Sequence, residues 1–91
     1  MGERRVRRYL VERYLPGTTP TELSAAQVRV AEAVASVRAD GVPLTYLGSA
    51  YIPEEETSFL RFEGVREGVE RACRLAGLGV ARIVEVEEVE P

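Results

Sequence analysis

A helix start is the clearest local signal in this sequence. Thr19 is a good N-cap residue, Pro20 suits the first helical position, and Glu22 completes the spacing of a capping box. Apolar residues then recur at intervals of three and four until Asp40-Gly41 interrupts them. The stripe consists of Leu23, Val30, Val34 and Val37, with Gln27 between them. The pattern predicts a helix over residues 20–39.

Four strand-like segments and a second helix pattern complete the chain. The strands are predicted over residues 7–15, 44–52, 57–63 and 81–89, and the second helix over 65–76. Gly77 would end that helix, and Gly48 is a candidate β-bulge. The order βαββαβ is that of the ferredoxin-like fold, an α+β sandwich in which two helices cover one face of a four-stranded antiparallel sheet. Right-handed crossovers place strands one and three in the centre, with strand four beside one and strand two beside three.

The composition is typical of one small domain, and it excludes several kinds of functional site. The chain has 91 residues, 45% hydrophobic and 30% charged, with no linker or repeat, so residues 1–91 are predicted to form a single ferredoxin-like domain. It contains no histidine and one cysteine, Cys73. Imidazole ligands, an internal disulfide and a cysteine-cluster zinc site are therefore excluded. A buried, unreactive thiol is the expected state of Cys73.

The charge and the hydropathy of the chain predict which partners it binds and where in the cell it is located. The net charge is −3, from fifteen acidic and twelve basic residues, which argues against nucleic acid as a partner. The arginines of residues 4–8 are expected to pair with the glutamates of residues 85–90, because strand four would run antiparallel beside strand one. No apolar run reaches the roughly eighteen residues that a membrane span needs, and the start lacks the apolar core of a secretory signal. A cytoplasmic protein without a membrane partner is the expectation.

Alternation along the strands predicts two different faces of the sheet. The residues expected beneath the helices are Tyr9, Val11, Leu47, Leu60, Phe62, Val84 and Val86. The residues expected on the other face are Leu10, Glu12, Tyr14, Phe59, Arg61, Ile83 and Glu85, with Tyr46 or Tyr51 from strand two. This second face is too apolar to be only solvated. We therefore expect two copies to close their sheets on each other as a homodimer.

Three charges in the middle of that face form the candidate site. Glu12, Arg61 and Glu85 are predicted to line a cavity between the two sheets, with Tyr14 and Tyr46 nearby. Two carboxylates beside one arginine leave a surplus negative charge, which would raise one carboxylate pKa or hold a divalent cation or other small ligand. The alternative interpretation is a structural ion pair at the dimer seam.

Four stretches of the chain carry a family resemblance: residues 9–13 (YLVER), 15–18 (LPGT), 76–78 (AGL) and 82–86 (RIVEV). In order and spacing they resemble a bacterial domain-of-unknown-function family whose best-described member is a small nickel-binding, nickel-responsive protein. The similarity extends from Arg7 to Val89. It implies a ferredoxin-like protomer that dimerises through its sheets as a dimeric α/β barrel. No nickel ligand of that relative can be matched to a residue here, so neither a metal residue nor a cofactor is predicted.

Three functions remain open from the sequence. The first is a dimeric binding protein that holds a ligand or metal cation between its sheets. The second, by analogy of fold, is a cofactor-free dimeric α/β barrel enzyme of monooxygenase or cyclase-like activity, with Glu12, Tyr14 or Tyr46 as acid–base groups. The third is a structural or regulatory dimer without a pocket. Whether the protein is an enzyme is left open.

Overall fold

The computed structural model describes residues 5–91 and contains every predicted element. The elements are β1 (Arg7–Tyr14), α1 (Pro20–Ala39), β2 (Leu44–Ile52), β3 (Thr57–Gly64), α2 (Arg66–Leu75) and β4 (Arg82–Val86). A 3₁₀ turn, Pro53–Glu55, joins β2 to β3. The fourth strand is shorter than predicted. It stops at Val86, which pairs with Arg8. Because β1 begins at Arg7, the residues after Val86 have almost no strand left to pair with.

The strand order β2-β3-β1-β4 confirms the ferredoxin-like topology. All three neighbouring pairs are antiparallel, with β1 and β3 in the centre. The predicted bulge is also present, as a register shift in β2 between Tyr46 and Gly48. Both helices lie on one face of the sheet, so neither helix covers the other face.

The first helix begins and ends where its sequence signals predict. The Thr19 hydroxyl accepts a hydrogen bond from the Glu22 amide at 3.1 Å, and the Glu22 carboxylate accepts one from the Thr19 amide at 3.0 Å. This capping box satisfies two amides that a helix start leaves without partners.

The outer side of α1 carries charges such as Glu32 and Arg38. No helix in the described part of the chain is long and apolar enough to cross a membrane.

The core lies between the helices and the central strands. Val11 and Phe62 occupy its sheet side, Val37 comes from α1, and Val69 from α2. Phe62 is the largest fully buried side chain and is 1% exposed. Its ring packs at a tilt on that of Tyr46, with 5.3 Å between centroids. Burial of these apolar groups is the main stabilising contribution.

The face assignment of β4 was wrong. Val84 lies opposite Leu10 and Val86 opposite Arg8, which places both valines on the uncovered face. Ile83, expected on that face, lies opposite Val11 and packs against the core. Consecutive apolar residues allow either alternation, so only the register with β1 decides which of them points inward.

The face assignment of β2 was also wrong. Tyr46 lies opposite Phe62 and Tyr51 opposite Ser58, so both tyrosines are on the helix-covered face. They are five residues apart, and the bulge supplies the extra residue that brings them into phase. Leu47, expected beneath the helices, falls within the bulge and is not among the partly buried residues that pack against the core.

The predicted charge pairing at the sheet edge is confirmed for two arginines. Arg7 forms an ion pair with Glu85 at 3.4 Å, and Arg8 pairs with Glu63 at 3.1 Å and with Glu88. Arg4 lies outside the described residues. These exposed pairs contribute little each, roughly 0–1 kcal/mol, but they agree with the antiparallel placement of β4 beside β1.

Candidate functional site

The predicted cluster of three charges does not assemble. Glu85 lies opposite Tyr9 and therefore on the helix-covered side, where it pairs with Arg7. Glu12 lies on the uncovered face, but its carboxylate accepts a hydrogen bond from Arg82, its cross-strand neighbour. The surplus negative charge expected of two carboxylates around Arg61 is therefore not formed.

The two predicted tyrosines are separated by the sheet. Tyr14 ends β1 on the uncovered face and is 63% exposed. Tyr46 belongs to the helix-covered face. Of the predicted site residues, Glu12, Arg61 and Tyr14 thus share one face, whereas Glu85 and Tyr46 lie on the other.

A pocket opens instead between the first half of α1 and the strands beneath it. Its volume is about 180 Å³. Its lining has an apolar part formed by Leu23, Ala26, Val30, Ala50 and Leu60. Its polar part is formed by Arg13, Gln27, Tyr46, Ser49, Tyr51 and Ser58. Three strands and one helix contribute, so the pocket is a product of the fold rather than of one segment.

A chain of polar groups forms one wall of this pocket. The Tyr46 hydroxyl donates to the Gln27 side-chain oxygen at 3.2 Å and also contacts the Ser49 hydroxyl. The Tyr46 ring is fixed by its packing on Phe62. Gln27, which interrupts the apolar stripe of α1, is therefore the helix residue that orients this hydroxyl.

Arg13 is the charged member of the lining. It lies on β1 opposite Ser58, is 8% exposed, and donates from Nε to the Gly79 carbonyl at 3.3 Å. Burial lowers the pKa of the guanidinium, and the nearby Arg29 lowers it further. A buried cation is costly without compensation, so its place at a pocket is the strongest functional signal in the molecule.

Arg13 was not predicted as a site residue, although the sequence contains a signal for it. Residues 9, 11 and 13 share one face of β1, and Tyr9 and Val11 were already assigned to the core. An arginine in phase with two core residues is unusual, because arginine is rarely buried without a partner. Ser58 is likewise in phase with Leu60 and Phe62, but a serine in such a position carries no comparable signal. The face of Tyr51 could not be predicted, since it depends on the bulge in β2.

The remaining candidates give no metal or nucleophile site. Within residues 5–91, no group of three or more aspartate, glutamate, cysteine or histidine side chains could hold a metal ion. Cys73 is buried, as predicted, and burial raises the pKa of its thiol to about 11. The thiol is therefore protonated at neutral pH and is a poor nucleophile.

Comparison with known proteins supports the architecture. No family model and no curated protein matches this chain. Among solved structures, the crystal structure of SCO4226 from Streptomyces coelicolor A3(2) is similar, with a TM-score of 0.75 over 91% of this chain and 99% of that one. The sequences are 19% identical. The likeness shows the fold. The family resemblance noted in the sequence stays a prediction.

Proposed function

We propose that this chain is a small-molecule-binding protein whose ligand occupies the pocket between α1 and the sheet. The observation that carries the proposal is the convergence of a buried guanidinium, an amide and several hydroxyls on one apolar-backed cavity. Ligand sites in proteins commonly combine an apolar lining with a few placed polar groups. The site thus differs from the sequence prediction, which placed the ligand between two sheets.

The size of the pocket limits the ligand to about one ring. Its volume of about 180 Å³ is slightly larger than the roughly 150 Å³ of a cavity that holds benzene. An apolar ring would pack between Ala26 and Leu60, and its polar substituents would meet the hydroxyl groups. A monocyclic molecule with one or two polar substituents is the best fit.

The lining chemistry favours binding over catalysis. Its polar members are one arginine, one amide and four hydroxyls, from Tyr46, Tyr51, Ser49 and Ser58. These groups bind and orient a ligand, whereas proton transfer near neutral pH most often uses histidine. Of the acid–base groups predicted from the sequence, Tyr46 lines this pocket, and its hydroxyl already donates to Gln27. We therefore place the enzyme alternative second.

Filling the pocket tests the proposal. We expect phenol, benzamide or benzoate to raise the melting temperature of the wild-type protein, by about 5–10 °C at ten times the dissociation constant. Ala26→Met should abolish this rise because Ala26 lines the pocket. Ala35→Met, an equal substitution at an exposed position of α1, should retain it. Differential scanning fluorimetry with NMR titration measures both.

The outcome that overturns the proposal is specific. If no probe raises the melting temperature or shifts resonances of pocket residues, the pocket is not a ligand site. If Ala26→Met folds and binds a probe as well as Ala35→Met does, binding occurs elsewhere. If no probe binds and the protein is nevertheless dimeric, these results would favour a structural dimer without a ligand.

We propose that two copies associate through the uncovered face of the sheet. This face carries four partly exposed apolar side chains that neither helix covers. Leu10 and Phe59 lie on the central strands, and Val84 and Val86 lie on the edge strand β4. The same face also bears both signs of charge, including the Glu12–Arg82 pair and Arg61. An apolar centre with mixed charges is self-complementary, which a two-fold interface requires.

A charge introduced on this face by substitution should prevent the two copies from associating. We expect wild-type protein to sediment as a dimer at about 50 µM and Val84→Arg to sediment as a folded monomer. Val28→Arg introduces the same charge at an α1 position that is 59% exposed, and it should leave the dimer intact. Analytical ultracentrifugation with circular dichroism measures assembly and folding. A monomeric wild type, or a dimeric Val84→Arg, would refute the interface.

A further inference from the structure

The charge of the pocket is unusual because Arg13 has no acidic partner in the part of the chain that the structure describes. Among described residues, no carboxylate lies within 4.0 Å of its guanidinium. The hydrogen bond that its Nε donates goes to a neutral acceptor, the Gly79 carbonyl. Buried arginines are normally paired. Residues 5–91 therefore contain a nearly buried positive charge that they do not neutralise.

A second arginine adds to this excess. Arg29 of α1 donates from Nε to the Ala76 carbonyl at 3.0 Å, and in the described chain it too has no carboxylate within 4.0 Å. Both arginines line a neighbouring cleft of about 210 Å³ together with Glu22. The Glu22 carboxylate is held in the capping box with Thr19. Two guanidinium groups and one carboxylate thus border this cleft, which leaves an excess of one positive charge.

The terminal nitrogens of Arg13 keep donors that the described residues do not use. A guanidinium has five N–H groups, and within residues 5–91 only the one on Nε has a hydrogen-bond partner. In the part of the chain that the structure describes, no side-chain nitrogen is both sealed from solvent and without a hydrogen bond. The terminal nitrogens of Arg13 must therefore reach solvent-filled space, and Arg13 borders two cavities. A planar oxyanion can bind such donors in a bidentate manner.

We infer that the pocket binds a monocyclic aromatic carboxylate, with the carboxylate on Arg13 and the ring against the apolar wall. The inference rests on the proposed function and names its ligand class. A ring fits the volume and packs on Leu23, Val30 and Leu60. The Tyr51 hydroxyl, which also lines the pocket, can meet a polar ring substituent. The ligand's charge replaces the acidic partner that residues 5–91 do not supply.

Benzoate and benzamide provide the test, because they have nearly the same shape and differ in charge. By isothermal titration calorimetry at pH 7, we expect wild-type protein to bind benzoate at least tenfold more tightly than benzamide. Arg13→Gln should weaken benzoate binding at least tenfold and change benzamide binding less than threefold. Tyr14→Phe, on the uncovered face, is the control and should change neither. Circular dichroism establishes that each variant is folded.

The possible results separate the two proposals. Equal affinity of wild-type protein for benzoate and benzamide would overturn the anionic ligand and leave the binding pocket standing. Binding of neither probe would remove the support for both. Inorganic phosphate binding as tightly as benzoate would show that the site recognises any oxyanion and would overturn the aromatic class. The wild-type ratio decides the inference even if Arg13→Gln does not fold, and Arg13→Lys, which keeps the charge, should then retain part of the preference for benzoate.

Discussion

Gly64→Ala is expected to destabilise the protein by about 3 kcal/mol, at the upper end of overpacking costs. A Cβ at this position would lie 2.5 Å from the Pro43 carbonyl oxygen and 2.9 Å from the Leu44 Cα. Both are backbone atoms, and the Pro43 carbonyl also accepts a hydrogen bond from the Val65 amide at 3.3 Å. The overlap cannot be relieved by turning a side chain, so the connection between β3 and α2 must shift.

Chemical denaturation followed by circular dichroism measures this cost. In a domain of this size it corresponds to a fall in melting temperature of about 12–24 °C. Gly79→Ala is the matched control, because a Cβ there meets nothing within 4 Å. Its effect should stay within about 0.5 kcal/mol. If the two variants are equally stable, the close approach of β3 to the segment before β2 is wrong.

Phe62→Ala is expected to cost about 3–5 kcal/mol, which is the range for removing a buried aromatic ring. Phe62 is 1% exposed at the centre of the core, and the Tyr46 ring packs against it. A small domain has about 5–15 kcal/mol of total stability, so the variant will be severely destabilised. Because Tyr46 also lines the pocket, any folded fraction should bind the benzoate probe less tightly.

A milder substitution keeps this prediction testable if Phe62→Ala does not fold. Phe62→Leu keeps a branched apolar side chain in the core and should cost about 1–3 kcal/mol, less than the truncation to alanine. Tyr14→Ala removes an aromatic ring from an exposed position and should cost less than about 0.5 kcal/mol. Denaturation curves of the three variants give the order of stability. A Phe62→Ala protein as stable as Tyr14→Ala would contradict the assigned core.

Local sequence signals predicted the elements because they depend on contacts within a few residues. The capping box of Thr19 and Glu22 depends on two residues three positions apart, and it is present in the structure. Gly77, with a φ of 68°, follows the end of α2 as its permissive backbone suggests. The order of these elements then leaves few topologies, and the observed β2-β3-β1-β4 sheet is the predicted one.

The candidate site could be predicted only in part, since it depends on which face each strand residue takes. For β1, the alternation of polar and apolar residues placed Glu12 on the uncovered face and Val11 on the other. In β4, the neighbouring Ile83 and Val84 are both apolar and carry no such information. The predicted group of Glu12, Arg61 and Glu85 failed because one strand in it was assigned the opposite face.

The chain's own pattern was thus enough to determine its helices, its strands and their order, because caps, turns and apolar periods act over short distances. The tertiary structure alone decided the register of β4 against β1 and the phase change at the β2 bulge. The first feature moved Glu85 to the opposite face from Glu12. The second brought Tyr46 and Tyr51 to the helix-covered side, where Arg13 borders the same pocket. A shift of one residue in a strand moves every side chain to the other face, so a site built from several strands is settled only when they pair.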